Sequence, residues 1–130
     1  MHHIGIDIIE ISRIEKAIIR WGQGFLRRIY TDPEIKLCQK RSSSLAARFA
    51  AKEAVMKALG TGRKGVSWRE IEVLSERSGK PLVRLQGRAQ DKATSLGLNN
   101  LDICLSHSKE YAVAFVVGEA KWKTYLNEVS

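Results

Sequence analysis

The chain has 130 residues, of which 44% are hydrophobic and 28% are charged, a composition typical of one soluble globular domain. Its 22 Lys and Arg against 14 Asp and Glu give a net charge of +8. This excess predicts an acidic partner, but charge alone does not choose among nucleic acid, membrane, a phosphorylated metabolite and an acidic protein. No apolar run approaches the roughly 20 residues that span a bilayer. The first apolar run contains Asp7 and Glu10, which excludes a signal peptide.

The first half of the chain predicts one strand followed by helices. Residues 3–9 are rich in Ile and favour a short strand. Residues 12–20 have a helical pattern, with Ser12 as the expected cap. The segment "TDPEIKLCQK" is typical of a helix start, because a Thr-Asp pair precedes a proline in the first turn. We expect "RSSS" to cap an Ala-rich helix over about 44–59, which the glycines of "GTG" end.

The second half predicts two hairpins separated by a helix. The segments "WREIEVL" and "LVRLQ" alternate and are joined by the turn "SGKP". Residues 88–96 predict a helix, and "LDICLSH" and "EYAVAFVVG" predict a second hairpin around Ser108 and Lys109. The tail "AKWKTYLNEVS" is expected to form a short amphipathic helix. We therefore predict an α+β fold with a mostly antiparallel sheet packed with helices, in a single domain over 1–130 that includes a C-terminal extension over 120–130.

The two cysteines, Cys38 and Cys104, are far apart and fit no metal-binding spacing. We expect both to be buried and reduced. Because disulfides are rare in the cytosol, two unpaired thiols favour a cytoplasmic protein.

The Ala-rich helix places Phe49, Glu53 and Lys57 on one face, four residues apart. One interpretation is an exposed Glu–Lys pair, which contributes about 0.2–0.5 kcal/mol to helix stability. The other is a reactive site. Phe49 and the flanking alanines indicate a packed face, and the helix runs into a glycine-rich segment, expected to be a flexible loop, that carries Arg63 and Lys64. An acid and three cations beside such a loop suit a phosphate and a metal ion.

Asp7 poses a similar choice because it interrupts the apolar strand "IGIDII". It is either an inert residue at an exposed strand end or a carboxylate that faces Glu53 across the fold. In the second case, a divalent cation would relieve the repulsion between the two carboxylates. Mg²⁺ suits such a pair, since it prefers one or two protein carboxylates with water and substrate phosphate.

Two motifs in order give the chain a resemblance to a known family. "GIDIIEISRIE" and "RFAAKEAVMKALGTG" together resemble the phosphopantetheinyl transferases, specifically the short holo-acyl-carrier-protein synthase group. The resemblance continues through "GKPLVRL" and "LSHSKEYAVAFVV" to about Glu119. The family motifs are G-x-D and F-x-x-K-E-[AS]-x-x-K, supplied here by Gly5, Asp7, Phe49, Lys52, Glu53, Ala54 and Lys57.

The resemblance implies a reaction in fatty acid biosynthesis. The serine hydroxyl of an apo acyl carrier protein attacks the β-phosphate of coenzyme A, so that 4′-phosphopantetheine is transferred and adenosine 3′,5′-bisphosphate leaves. By the same resemblance, Asp7 and Glu53 are Mg²⁺ ligands and Lys57 stabilises charge on the phosphates. Glu53, directly or through a metal-held water, is the candidate acceptor of the serine proton. The implied catalytic residues are therefore Asp7, Glu53 and Lys57.

The resemblance also implies a coenzyme A cleft. His107 resembles a histidine that some relatives place near the diphosphate, and its alternative is a polar residue that closes a hairpin. One departure is that relatives often have Ile after G-T-G, whereas this chain has Arg63 and Lys64 and is about one residue shorter there. The implied cleft residues are Arg48, Lys57, Gly60, Thr61, Gly62 and His107.

Four arginines are candidates for binding the carrier protein. Arg13 lies in G-x-D-x-x-x-x-x-R and resembles a family arginine that contacts the carrier, and Arg20, Arg27 and Arg28 extend this surface. Carrier proteins are acidic, so a basic helix complements them and speeds encounter. A solvated basic face is the alternative for each arginine.

The resemblance further implies a homotrimer with a coenzyme A cleft between neighbouring subunits, and the apolar segment "AVAFVV" would benefit from a partner sheet. Neither nucleic acid nor a membrane is then needed as a partner. A small basic nucleic-acid-binding domain is the first alternative, argued from charge alone, without a paired-aromatic strand motif or zinc spacing. A non-catalytic adaptor for the carrier protein is the second.

Overall fold

The computed structural model describes residues 1–120, which form five strands and six α-helices. The predicted α+β fold is confirmed. In chain order the elements are β1 (His2–Glu10), α1 (Ile11–Trp21), α2 (Gln23–Ile29), α3 (Asp32–Cys38), α4 (Ser42–Leu59), α5 (Gly62–Gly65), a 3₁₀ turn (Trp68–Glu70), β2 (Ile71–Ser75), β3 (Pro81–Leu85), α6 (Gly87–Ser95), β4 (Leu98–His107) and β5 (Tyr111–Ala120).

The strands form two antiparallel sheets. One has the order β1-β5-β4, and the other is the predicted hairpin of β2 and β3. In the first sheet Asp7 lies opposite Ala114, and Gly5 lies opposite Val116. Because side chains alternate along a strand, Gly5 and Ile9 are on the buried face of β1, whereas Ile4, Ile6 and Ile8 point outward.

Helix α4 forms the centre of the core. It contacts β1 and β5, and most of its side chains from Leu45 to Leu59 are buried. Its alanines favour the helix, and Gly60 ends it in the left-handed conformation at φ 73°. A Cβ atom on Gly5 would lie 1.8 Å from the carbonyl oxygen of Ala54. Glycine at this position therefore lets the backbones of β1 and α4 come into direct contact.

A buried ion pair joins α3 and α4. Lys52 Nζ lies 2.7 Å from Glu34 Oε1, and neither side chain is exposed. The ammonium also donates to the carbonyl oxygens of Trp68 and Ile71, while Glu34 accepts the N–H of Val73 at 2.8 Å. Burial lowers the pKa of Lys52, and the adjacent Glu34 carboxylate opposes this shift. The pair thus fixes the 3₁₀ turn and β2 against α4.

The start of α3 is the helix start expected from the sequence. Thr31 is its N-cap, and its hydroxyl accepts the N–H of Glu34 while Glu34 Oε1 accepts the N–H of Thr31 at 2.8 Å. The Thr31 hydroxyl also donates to Glu72 at 2.6 Å. This capping box therefore shares Glu34 with the buried ion pair.

Other local predictions are wrong. Helix α1 begins at Ile11 directly after β1, so Ser12 is not its cap. Likewise, Arg41 is the N-cap of α4, and the serines of "RSSS" lie in its first turn. Helix α2 was not expected. The first three residues of "WREIEVL" form the 3₁₀ turn rather than strand.

Two further expectations change. The segment "GTGRKG" contains the short helix α5 instead of a loop. Cys38 is buried as expected, but Cys104 is exposed because it lies on the outward face of β4, opposite Phe115. The predicted tail helix lies outside the described residues, apart from Ala120 at the end of β5. Within residues 1–120, no helix is both long enough and apolar enough to cross a bilayer.

Candidate active site

Asp7 and Lys57 form an ion pair where β1 meets α4. Lys57 Nζ donates to Asp7 Oδ1 at 3.0 Å and to the carbonyl oxygen of Ile6 at 2.9 Å. The Asp7 side chain is only 15% exposed, whereas that of Lys57 is 55% exposed. Asp7 is therefore a partly buried carboxylate that faces the helix, not an exposed residue at a strand end.

Glu53 lies one turn before Lys57 on the same face of α4. Its side chain is 18% exposed, and its Oε2 accepts a bond from Arg63 Nη2 at 3.3 Å. Lys57 does not form the simple surface ion pair with Glu53, because its ammonium pairs with Asp7 instead. Each of the two carboxylates thus has its own cation.

Asp7 and Glu53 are the residues of this site that could hold a hard divalent cation. Asp7 pairs with Lys57, Glu53 lies one turn before Lys57 on α4, and carboxylate oxygens are the ligand type that Mg²⁺ prefers. Among residues 1–120, no group of three or more His, Cys, Asp or Glu could hold a metal ion. A site of two carboxylates leaves coordination positions for water and substrate phosphate, which is the usual pattern for Mg²⁺.

The turn after α4 continues directly from Lys57. Gly60 and Gly62 both have positive φ, at 73° and 60°. The N–H of Gly60 donates to the carbonyl oxygen of Lys57, and that of Thr61 donates to Met56. These two N–H groups already close the end of the helix, so contacts of this turn with a phosphate would need its other polar atoms.

Trp68 is a site residue that sequence reasoning missed, because "WREIEVL" resembles a strand. Its ring stacks on Phe49, with 4.7 Å between centroids and 25° between planes. The guanidinium carbon of Arg63 lies 5.6 Å from the Trp68 centroid. Glu70 closes the 3₁₀ turn by accepting the N–H of Ser67, and this bond is the main cause of its lowered pKa. The turn therefore holds Trp68 beside the Glu53 face.

Arg48 and His107 lie together at a different place. Arg48 is buried, and its guanidinium donates to the carbonyl oxygens of Val73 and Ser44 and to the hydroxyl of Ser75, at 3.1 to 3.3 Å. His107 is exposed at the end of β4. Both border one depression of about 310 Å³.

The chain therefore does not bring all the predicted cleft residues together. Arg48 and Glu53 are five residues apart on α4, which separates them by about 140° around a helix of 3.6 residues per turn. Among the described residues that border the Arg48 depression, none is Asp7, Glu53 or Lys57. Arg41 also borders this depression and was missed by sequence reasoning.

The four candidate carrier-binding arginines lie on two surfaces. Arg13 and Arg20 on α1 border a depression of about 370 Å³ that Phe49 also lines. Arg27 and Arg28 on α2 border another, of about 530 Å³. The second depression is also bordered by three arginines that sequence reasoning did not assign to it: Arg63, Arg69 and Arg88.

Comparisons with known proteins agree on one family. Residues 3–116 match the model of the 4′-phosphopantetheinyl transferase superfamily. The holo-[acyl-carrier-protein] synthase of Herpetosiphon aurantiacus is 53% identical over 121 residues, covering 88% of this chain and 95% of that protein. The synthase of Dehalococcoides mccartyi strain CBDB1 is 54% identical over 119 residues, covering 92% of this chain and 99% of its own length.

Solved structures give the same result. The Helicobacter pylori holo-[acyl-carrier-protein] synthase in complex with coenzyme A superposes with a TM-score of 0.82 at 38% identity, covering 89% of this chain and 99% of that one. Both the fold and the sequence are therefore shared over most of each chain. This chain belongs to the holo-[acyl-carrier-protein] synthases, enzymes of the 4′-phosphopantetheinyl transferase superfamily.

Proposed function

We propose that this chain transfers 4′-phosphopantetheine from coenzyme A to a serine of an apo acyl carrier protein in a Mg²⁺-dependent reaction that serves fatty acid biosynthesis. The observation that supports the proposal is the ion pair of Asp7 with Lys57 where β1 meets α4, one helical turn from Glu53. The Helicobacter pylori synthase, described in complex with coenzyme A, supports this donor. The proposal places the reaction in the cytoplasm, where the free thiols Cys38 and Cys104 stay reduced.

In this proposal the residues divide the work of phosphoryl transfer. Asp7 and Glu53 would hold Mg²⁺, which neutralises charge on the diphosphate when it is bound. Glu53 accepts the proton of the serine hydroxyl. The serine oxygen forms a bond to the β-phosphorus, the bridging P–O bond breaks, and its electron pair leaves on adenosine 3′,5′-bisphosphate. Lys57 stabilises the developing charge, because its half-exposed ammonium can donate to a phosphate oxygen beside Asp7.

Arg48 and His107 would bind a second part of coenzyme A. A guanidinium has more N–H groups than the three protein acceptors of Arg48 use, so some remain for a phosphate. This pair lies away from the Asp7 face on one chain, and we infer that one coenzyme A is bound by two surfaces of neighbouring subunits. A homotrimer with clefts between neighbouring subunits would provide such a site.

The outward face of the three-stranded sheet supports such a trimer. Ile4, Ile6 and Ile8 are 56%, 55% and 60% exposed, and Phe115 on the neighbouring strand is 40% exposed. A contiguous apolar face of this kind usually marks a protein interface. We infer that other copies of this chain cover it.

Replacing Ile4 by Glu should dissociate the trimer and lower transfer at least about ten-fold, because a charge buried in the interface costs more than 1.4 kcal/mol. Leu82→Glu on β3, where Leu82 is 38% exposed and lies away from α1, is the matched control and should keep the wild-type mass and rate. Sedimentation equilibrium gives the mass of each form. A wild-type chain that is monomeric and fully active would contradict the trimer.

The experiment that tests the function is mass spectrometry of an apo acyl carrier protein of fatty acid synthesis after incubation with the chain, coenzyme A and Mg²⁺. The carrier should gain one phosphopantetheine and adenosine 3′,5′-bisphosphate should appear. Carrier that binds the chain but keeps its apo mass would favour the non-catalytic adaptor instead.

A further inference from the structure

Arg63 contacts two residues of the candidate site. Its guanidinium bonds Glu53 Oε2 at 3.3 Å and lies over the ring of Trp68. It follows directly after "GTG" in the sequence. An apolar side chain at that position could not pair with a carboxylate, so this contact belongs to the arginine.

We propose that Arg63 competes with the divalent cation for the carboxylate of Glu53, and so keeps the affinity for metal low until coenzyme A arrives. The inference rests on the proposed function, because it takes Glu53 as a metal ligand. In this proposal Arg63 takes no part in the chemical step. It sets the order in which the site is filled.

The competition follows from the contacts of Glu53. A metal ligand offers its oxygen lone pairs to the ion, and Arg63 already uses one of those of Oε2. Even an ion bound through the other oxygen would lie close to the guanidinium and be repelled by it. With Lys57 on Asp7, both proposed ligands have a cationic partner that the metal must displace or withstand.

Trp68 helps to hold the Arg63 side chain in this position. The indole stacks on Phe49, and the planar guanidinium lies over it at 5.6 Å. However, the Arg63 side chain is 66% exposed, so its bond to Glu53 is an exposed ion pair of small net strength. Such a contact is strong enough to bias metal binding and weak enough to be exchanged.

The surroundings of Arg63 indicate which group becomes the partner of its guanidinium when it leaves Glu53. The depression that Arg63 borders also carries four other guanidinium groups, so a released Arg63 lies among like charges and is stabilised by an anion. The diphosphate of coenzyme A is the anion that the proposed function brings to the metal. Metal and coenzyme A should therefore bind cooperatively, with Arg63 contributing to their coupling. The four other groups belong to Arg27, Arg28, Arg69 and Arg88.

The test measures Mn²⁺ binding by the intact protein without carrier, using electron paramagnetic resonance to count free ions. Arg63→Ala should bind Mn²⁺ about two- to five-fold more tightly than Lys64→Ala, the range expected for removing one exposed ion pair. Lys64→Ala is the matched control, since it removes the same charge from the neighbouring position of α5. The factor by which coenzyme A tightens Mn²⁺ binding, corrected for the Mn²⁺–coenzyme A complex in solution, should fall about two- to five-fold in Arg63→Ala.

The Asp7→Asn variant distinguishes failure of the proposed metal site from failure of the proposed competition by Arg63. If Asp7→Asn weakens Mn²⁺ binding but Arg63→Ala and Lys64→Ala have equal affinities, the metal site stands and the competition is overturned. If Arg63→Ala binds more tightly but its coupling to coenzyme A equals that of the wild type, the exchange onto the diphosphate is overturned. If Asp7→Asn binds Mn²⁺ as the wild type does, or if the wild type binds none, the proposed metal site fails together with this inference.

Discussion

Replacing Glu53 by Gln should lower the rate of phosphopantetheine transfer by about 10²–10⁴-fold, the range associated with loss of a general base. Glutamine keeps the shape of the side chain but cannot take the serine proton, and it loses the charge that a metal ligand needs. The bond from Arg63 to Glu53 is an exposed ion pair worth at most about 1 kcal/mol, so the fold should survive. The rate is measured from the mass of the carrier protein over time, and the fold from thermal unfolding.

Glu76→Gln is the matched control for this variant. Glu76 is exposed after β2, where its backbone N–H pairs with the carbonyl oxygen of Lys80, and its side chain has no role in the proposal. The control should keep the wild-type rate. Full activity of Glu53→Gln would remove Glu53 from the mechanism, whereas equal losses of activity and of stability would reduce it to a structural residue.

Replacing Lys52 by Met should lower the free energy of unfolding by about 3–5 kcal/mol, the usual cost of removing one partner of a buried pair. The Glu34 carboxylate would stay fully buried without its cation, and the carbonyl oxygens of Trp68 and Ile71 would lose their donor. Urea unfolding at neutral pH measures the effect. Lys36→Met on the exposed side of α3 should change stability by at most about 0.5 kcal/mol.

A second substitution identifies the cause. In the double variant Lys52→Met, Glu34→Gln, the buried charge is gone. The single amide oxygen can still accept one of the two N–H groups, of Thr31 and of Val73, that bond to different oxygens of Glu34. We expect this variant to be more stable than Lys52→Met alone. Its loss of stability should then be smaller than the sum of the losses of Lys52→Met and Glu34→Gln measured separately in a double-mutant cycle. Strictly additive losses would show that packing of the lysine stem, and not the unpaired charge, causes the destabilisation.

Local patterns in the sequence were enough to predict much of the fold and part of the candidate site. The helix over about 44–59 was expected because alanine favours helix and glycine ends it, and α4 runs from Ser42 to Leu59. The helix start in "TDPEIKLCQK" was predicted for a similar local reason, but the choice of Thr31 over Asp32 as its cap came only from the structure. Asp7 was recognisable as unusual, because a carboxylate in an apolar strand needs a partner.

The remaining features depend on contacts between distant segments. Lys57 reaches Asp7 instead of Glu53 because Gly5 allows β1 and α4 to touch, which no local pattern reveals. Helix α2 has only seven residues, a length at which intrinsic propensity is weak. It is held by burial of Leu26 and Ile29, which only the tertiary structure shows.

Diffraction from crystals of the protein grown with Mn²⁺ and coenzyme A, with the anomalous signal of the metal recorded, tests the central claim most directly. We predict an anomalous peak coordinated by carboxylate oxygens of Asp7 and Glu53 and by the diphosphate, with the Lys57 ammonium beside the phosphate oxygens. A peak that neither carboxylate contacts, or a diphosphate bound away from Lys57, would contradict the assignment of this face as the site of phosphoryl transfer.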